Sequence, residues 1–248
     1  MRILSAVRLA STALLGRGMI SRNAKYVLLE RLVSLADPTF ITSDFGKLWT
    51  QDADFMRAYE RFCGKRYVSA ERKYAVVQLL RTTEHLSGDT AECGVFTGAT
   101  SYMICRENVR ICRVHHLFDS FAGLSKPQHS DGIWWRERDL SCPLEVVQSN
   151  LQDFGSITKF HQGWIPECFS GVEEHLFSFV HIDVDLFQPS LDSLQFFYPR
   201  VVSGGIIVLD DYGFETCPGE KAAADEFMLD KAERIVHLPT GQGVIFKR

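Results

Sequence analysis

The sequence predicts an α/β fold: a Rossmann-like doubly wound sheet, mostly parallel, with an antiparallel C-terminal strand and added N-terminal helices. Three observations predict it. Short apolar, strand-like runs alternate with helical segments from residue 90 onward, the pattern of a parallel sheet covered on both faces. The run Phe177–Val184 is apolar enough for a strand buried on both sides. A glycine-bearing turn, Gly94 to Gly98, joins the first run to a helix, and such junctions face the ligand crevice in folds of this kind. The length of 248 residues fits one domain with an extension. With 46% apolar and 23% charged residues, composition excludes a disordered chain, a collagen-like repeat and a disulfide mini-protein. No uninterrupted run of about 18 apolar residues suggests a spanning helix. A net charge of −4 argues against a nucleic-acid partner held through phosphates.

The chain reads in order as follows. Residues 1–35 carry five cations more than acids, leaving −9 for the rest. A secretory signal, a transit peptide and a basic amphipathic helix compete for this segment. Arg8 and Arg17 bracket its short apolar stretch, which favours the helical arm and leaves room for peripheral membrane contact. Residues 1–70 are therefore read as a helical arm or cap and 71–248 as the main domain. Apolar spacing predicts helices over 26–35, 53–63 and 71–86, the last stopped by Ser87-Gly88-Asp89. Thr90–Phe96, Val114–Phe118, Thr158–Gln162 and Phe177–Val184 read as strands. A fifth runs through Val201-Val202, a Ser203-Gly204-Gly205 turn and Ile206–Leu209. Helices are predicted from Ala99 to about Glu107 and over Glu220–Ala232, and a closing hairpin pairs Arg234–Leu238 with Gly243–Phe246. Residues 123–143 fit no regular element, and long loops of that kind are usually functional or mobile.

Three constellations carry chemistry. Glu92-Cys93-Gly94-Val95-Phe96-Thr97-Gly98 lies where strand feeds helix. Its glycines admit close backbone approach, and the free N–H groups at the helix start suit a carboxylate or phosphate. The spacing is not GxGxxG, which speaks against a nicotinamide dehydrogenase. A plain structural turn is the alternative. Asp119 ends the second strand, 25 residues after Gly94, near where an acid holds ribose hydroxyls in such folds. An Asx turn or helix cap is its other reading. Asp183 and Asp185 end the fourth strand, and Asp210 and Asp211 the fifth. In a parallel sheet these four carboxylates share one edge, where they repel unless protons or a cation intervene. Hard oxygen donors suit Mg²⁺ or Ca²⁺ rather than zinc. Alternation places Asp183 and Asp185 on one side of the strand.

Single residues are weighed in the same way. His181 reads as a satisfied core histidine. Trp134 and Trp135 either stack on a substrate ring or cover the core, and Tyr212 either lines the pocket or caps the sheet. The seven cysteines show no zinc spacing and no CxxC pair, which fits a reducing compartment and a cytoplasmic location; organelle targeting or membrane association through residues 1–35 is the alternative.

Glu92-Cys93-Gly94-Val95, Phe118-Asp119-Ser120-Phe121-Ala122-Gly123-Leu124, Val180-His181-Ile182-Asp183-Val184-Asp185-Leu186 and Gly204-Gly205 leading into Asp210-Asp211-Tyr212-Gly213 resemble the macrocin O-methyltransferase family. Cys217-Pro218-Gly219 and the helix Ala222–Phe227 continue the likeness. The resemblance implies a class I S-adenosylmethionine-dependent enzyme that methylates a hydroxyl of a sugar, glycosylated product or polysaccharide. By motif position, Asp183, Asp210 and Asp211 would hold Mg²⁺ and Asp185 would be the general base. Glu92, Gly94, Thr97 and Gly98 would take the methionine end of the cofactor. Asp119 and Ser120 would take its ribose, and Gln162, Gly163 and Trp164 would border the adenine. Residues 123–143 would close over a small-molecule or glycan acceptor touching Trp134, Trp135 and Tyr212. Rival classes are a catechol-type methyltransferase and a non-catalytic module of the same fold. Self-association into a homo-oligomer is compatible with either.

Overall fold

A computed structural model describes residues 2–35, 47–62 and 68–248. The chain divides into two compact units, Met1–Gln51 and Asp52–Arg248. In the first, α1 (Arg2–Leu15) and α2 (Gly18–Val33) fold back on each other. Small buried residues let them approach: Ala13 and Ala24 pack inside, and the buried Ser21 hydroxyl donates to the Ala13 carbonyl at 2.9 Å. The segment read as one basic arm is thus a helix pair. No helix among the described residues is long and apolar enough to cross a membrane.

The second unit opens with α3 (Ala53–Glu60), capped by the Asp52 carboxylate accepting from Phe55 N at 2.9 Å. Buried Phe55 meets Tyr74 of α4 (Ala70–Arg81) edge-on at 5.0 Å between ring centroids. That contact groups α3 with the larger unit, so the boundary falls after residue 51 rather than residue 70. Helix α4 stops at Arg81 instead of reaching 86, because the Thr82 and Thr83 hydroxyls donate to the last carbonyls of Leu79 and Leu80. The end of the helix read over 53–63, including Cys63, lies outside the described residues.

The remaining elements are β1 (Asp89–Cys93), α5 (Ala99–Asn108), β2 (His115–Asp119), α6 (Leu144–Asn150), β3 (Thr158–Gln162), β4 (Phe177–Ile182), α7 (Phe187–Phe197), β5 (Val201–Leu209), α8 (Pro218–Phe227), β6 (Ile235–His237) and β7 (Gly243–Phe246). The sheet runs in the order β3-β2-β1-β4-β5-β7-β6. All pairs are parallel except β5–β7 and β6–β7, so the doubly wound sheet with an antiparallel C-terminal edge is as the sequence predicts. Strand order reverses between β1 and β4, and ligands of such sheets bind at that switch point, beyond the carboxyl ends of the strands.

Two features depart from the sequence reading. Ser203-Gly204-Gly205 is a bulge inside one continuous strand rather than a turn: β5 pairs Val201 with Phe177 and then Ile206 with Phe179. A Cβ at Gly205 would press on Val201 and on the Ser178 carbonyl at 2.9 Å, so glycine lets the strand kink there. Helices α6 and α7 lie outside the elements that the sequence predicts. Helix α7 buries Leu194 and Phe197 on one face of the sheet, where Phe197 meets Phe118, Phe169 and Phe177 edge-on.

Candidate functional site

A cavity of about 770 Å³ opens at the carboxyl ends of β1, β2, β4 and β5, within the size range of cofactor sites, roughly 300–1,000 Å³. Its floor is set by how closely the strand ends approach. Asp183 N donates to the Cys93 carbonyl at 2.8 Å, and Asp210 N to the Ile182 carbonyl at 2.8 Å. Gly94, at φ +81, sits where any Cβ would overlap the Asp183 carbonyl, so this crossing requires glycine. Gly98, also at φ +81, forms the N-cap of α5 and faces Val147 rather than the cavity. Thr97 lines the cavity, and its shielded hydroxyl has no partner among the described residues.

The structure brings most of the singled-out residues together. Gly94, Thr97, Asp119, Ser120, Gly163 and Trp164 line one part of the cavity. Asp183, Asp185, Asp210, Asp211, Trp134 and Trp135 line another. The Asp119 carboxylate accepts from Val95 N (2.6 Å) and Phe96 N (3.1 Å) with one oxygen and from Phe121 N (2.6 Å) with the other. It therefore ties the β1 and β2 turns together, while Oδ1 keeps acceptor capacity for a further donor. Burial raises its pKa despite those backbone donors.

Besides Gly98, three residues stand elsewhere. Glu92 lies below the floor, 1% exposed, where it accepts from Ser101 and faces His181 Nδ1 at 3.2 Å. Its side chain points into the sheet face beside β4, because β1 presents alternate residues to opposite faces. Tyr212 turns away from the cavity, with its hydroxyl donating to Asp225 at 2.7 Å and its ring against Gly243. Gln162 ends β3 outside the cavity lining.

The four aspartates behave as crowded carboxylates. Oxygens of Asp183, Asp210 and Asp211 lie within 4.8 Å of one another. Burial, then the charges of Asp210 and Asp211, push the Asp183 carboxyl well up, although its side chain keeps 26% exposure. Burial opposes ionisation of Asp210, but Arg72, Lys73 and His181 overcome it and hold that group well below the usual range. Burial and the Asp183 charge push Asp185 up to about 7, and burial and the Asp185 charge push Asp211 to about 7. Asp185 has φ +60 and centres a three-residue turn in which Leu186 N donates to the Val184 carbonyl at 2.6 Å. The strand ends at Ile182, so Asp183 and Asp185 share the cavity through this strained turn and not through strand alternation.

Several contributors escaped the sequence reading. Arg72 bonds Asp210 and reaches Asp211 Oδ1 at 2.8 Å, stacked over Phe214 at 4.7 Å. Lys73 Nζ lies 3.8 Å from both Asp183 and Asp210. Gln242 Nε2 donates to Asp210 Oδ1 at 2.6 Å, and the Cys217 thiol donates to Asp185 Oδ1 at 3.5 Å. Lys73 did leave a signal. It falls at helical spacing with Val76, Val77 and Leu80, all buried, and a cation on a buried stripe calls for a buried anion.

The loop over 123–143 is anchored. Buried Asp131 accepts from Phe187 N at the start of α7 and from Gln128 N, each at 2.6 Å. Trp135 Nε1 donates to Cys217 Sγ at 3.3 Å, while the Trp134 ring remains 59% exposed.

The sheet order, the switch-point cavity and the acids at its edge define a Rossmann-like α/β domain of the methyltransferase type. The chain belongs to the Macrocin-O-methyltransferase (TylF) family, whose model matches residues 51–239. It is 27% identical to the 8-demethyl-8-(2,3-dimethoxy-alpha-L-rhamnosyl)-tetracenomycin-C 4'-O-methyltransferase of Streptomyces olivaceus, over 58% of this chain and 60% of that one. It is 26% identical to the demethyldecarbamoylnovobiocin O-methyltransferase of Streptomyces niveus, over 66% and 67%. The chain thus spans about 60% of the length of the first relative. Its fold matches the O-methyltransferase NovP (TM-score 0.61, 22% identity, 73% of this chain and 81% of that one). It also matches the calicheamicin methyltransferase CalS11 (TM-score 0.62, 15% identity, 79% and 92%).

Proposed function

We propose that this chain transfers a methyl group from S-adenosylmethionine to a hydroxyl of a sugar or glycosylated small molecule, assisted by a divalent cation. The observation that carries the reading is the meeting, in one cavity, of the turn at Gly94–Thr97 with the carboxylates at the ends of β4 and β5. Family membership supports the reaction class, and the rhamnosylated acceptor in the name of the first relative supports the acceptor class.

The residues present fit both groups. The unpartnered Thr97 hydroxyl and the spare acceptor capacity of Asp119 suit an amino acid and a ribose. Asp183, Asp210 and Asp211 offer hard oxygens, which Mg²⁺ takes. Arg72 already engages two of these carboxylates, so a cation there competes with the guanidinium. When bound, the sulfonium supplies an electrophilic methyl and the cation lowers the pKa of an acceptor oxygen.

The chain's own residues do the rest. Asp185, poised near neutrality, takes the hydroxyl proton as the oxygen attacks. Its strained turn fixes where that carboxylate points. The anchored 123–143 loop brings Trp134 and Trp135 over the cavity and limits water.

Calorimetric titration of S-adenosylmethionine and its demethylated product, with Mg²⁺ and with EDTA, tests the cofactor site. Micromolar binding in both conditions is expected; no binding to folded protein in either refutes the reading. Transfer of labelled methyl to rhamnosylated products but not to catechols would then separate the sugar reading from the phenolic one.

A further inference from the structure

The opposite edge of the sheet, at the amino ends of the strands, holds a second cluster with a different donor set. Asp89 opens β1, His116 is the second residue of β2, and His175 lies in the connection entering β4. Asp89 Oδ2 is 3.2 Å from His116 Nε2 and 3.1 Å from His175 Nδ1. One donor atom from each of the three lies within 4.8 Å of the others. Ligands 2.0–2.1 Å from a tetrahedral zinc ion stand about 3.3 Å apart, so two of the three separations match within about 0.2 Å.

The cluster is also braced in the way metal-ligating histidines are. His116 Nδ1 is 3.0 Å from His161 Nε2. An Nδ1–H donated there leaves the Nε2 lone pair directed at the cluster, since an outer acceptor fixes the tautomer of a ligating imidazole. His161 itself is clamped flat, 4.4 Å from the Phe118 ring and 5.2 Å from His116, at interplanar angles of 13° and 11°. Phe177 closes on His116 edge-on at 5.7 Å. His116 is nearly buried while the His175 side chain is 43% exposed, which gives an ion a way in and a fourth position for water.

We propose that Asp89, His116 and His175 form a binding site for a zinc-type transition metal, separate from the carboxylate edge, that pins the β4-entry connection to β1 and β2. Two imidazoles and one carboxylate are a borderline donor set that zinc takes and that Mg²⁺ does not favour. The site uses no residue of the methyl-transfer cavity, so its failure and the failure of that reading are distinguishable.

The test is Zn²⁺ titration of the chelator-treated full chain, repeated for His175→Ala and Cys217→Ala, with Co²⁺ as spectroscopic probe. His175 is exposed, so its removal leaves the core intact, and circular dichroism checks this. Expected is one tight equivalent in the parent and in Cys217→Ala, weakened roughly tenfold or more in His175→Ala. Bound Co²⁺ should show a tetrahedral visible spectrum without a thiolate charge-transfer band. Three results would each overturn the proposal: no tight equivalent in the parent, unchanged affinity in His175→Ala, or loss of the equivalent in Cys217→Ala. The last would move the ion to the candidate group that contains the thiol, Asp185, Asp211 and Cys217.

Discussion

Replacing Arg72 with methionine tests whether the guanidinium and the proposed divalent cation compete for the same carboxylates. The guanidinium is 15% exposed and bridges Asp210, 1% exposed, and Asp211. Removing one partner of such a buried pair strands the other charge and costs about 3–5 kcal/mol. For a domain of this size, about 2–4 °C of melting temperature per kcal/mol turns that into a fall of roughly 6–20 °C in EDTA. The vacated oxygens of Asp210 and Asp211 then face Asp183 with Lys73 and the His181 imidazolium as the neighbouring cations. Mg²⁺ at about a hundred times its dissociation constant returns about 2.7 kcal/mol to the variant, and the parent, whose guanidinium must first be displaced, gains less, so the deficit narrows toward about 0.3–2.3 kcal/mol. The assay is a thermal melt of parent and Arg72→Met, each in EDTA and in saturating Mg²⁺. A deficit that shrinks by at least half on adding Mg²⁺ is expected. The same deficit in both buffers would refute the idea that guanidinium and metal share one site.

Four further outcomes follow from the geometry. Asp185→Asn should lower kcat about 10²- to 10⁴-fold with little change in cofactor affinity, and should remove the rise in rate that the parent shows as pH climbs through about 7. The His181 pKa is raised to about 9 by Asp210 and Glu92, against burial; stability from that imidazolium is full below about pH 6.5 and lost as pH rises through about 9. Urea unfolding should then show the parent, but not His181→Gln, losing about 3 kcal/mol between those limits. Gly94→Ala forces a side chain onto the Asp183 carbonyl at positive φ, and denaturant melts should show a loss beyond the ~1–2 kcal/mol of the dihedral penalty alone. Asp131→Ala leaves the N–H groups of Phe187 and Gln128 without their acceptor; a loss of about 1–2 kcal/mol and faster proteolysis within 123–143 are expected.

Some of this was legible in the chain and some was not, for physical reasons. Strand β4 announces itself because both faces are buried and its sequence is largely apolar, whereas β1 and β2 are buried but carry Glu92, His115 and His116, and β3 is only partly buried. The acids at their carboxyl ends follow from strand direction alone. Helix α7 hides because its buried face, Ser190, Ser193, Leu194 and Phe197, repeats at helical spacing but carries two serines where apolar residues would mark it. The bulge at Gly204-Gly205 reads as a turn because the same residues serve both purposes. Glu92 and Tyr212 were drawn toward the cavity by their position in motifs; which face a strand-end side chain takes depends on register with its neighbour, and that is a tertiary fact. The pairing of Asp89 with His116 and His175 is more distant still, since it joins residues 27 and 86 positions apart.

The two cations beside the aspartates explain how such an edge folds at all. Asp183, Asp185, Asp210 and Asp211 converge because a parallel sheet ends its strands together, and Glu220 adds a fifth acid, its Oε1 accepting from Asp211 N at 3.0 Å. Burial and Asp211 push the Glu220 carboxyl well up, so it is held neutral. Asp185 and Asp211, both near 7, favour a shared proton over two adjacent charges. Arg72, Lys73 and the His181 imidazolium meet what remains. All three lie on elements fixed before any ligand arrives: α4, which runs directly into β1, and β4 itself. The edge therefore reaches near charge balance from its own sequence, and the divalent ion proposed above would enter by exchange with a guanidinium already in place, not by filling a hole that the fold could not have tolerated.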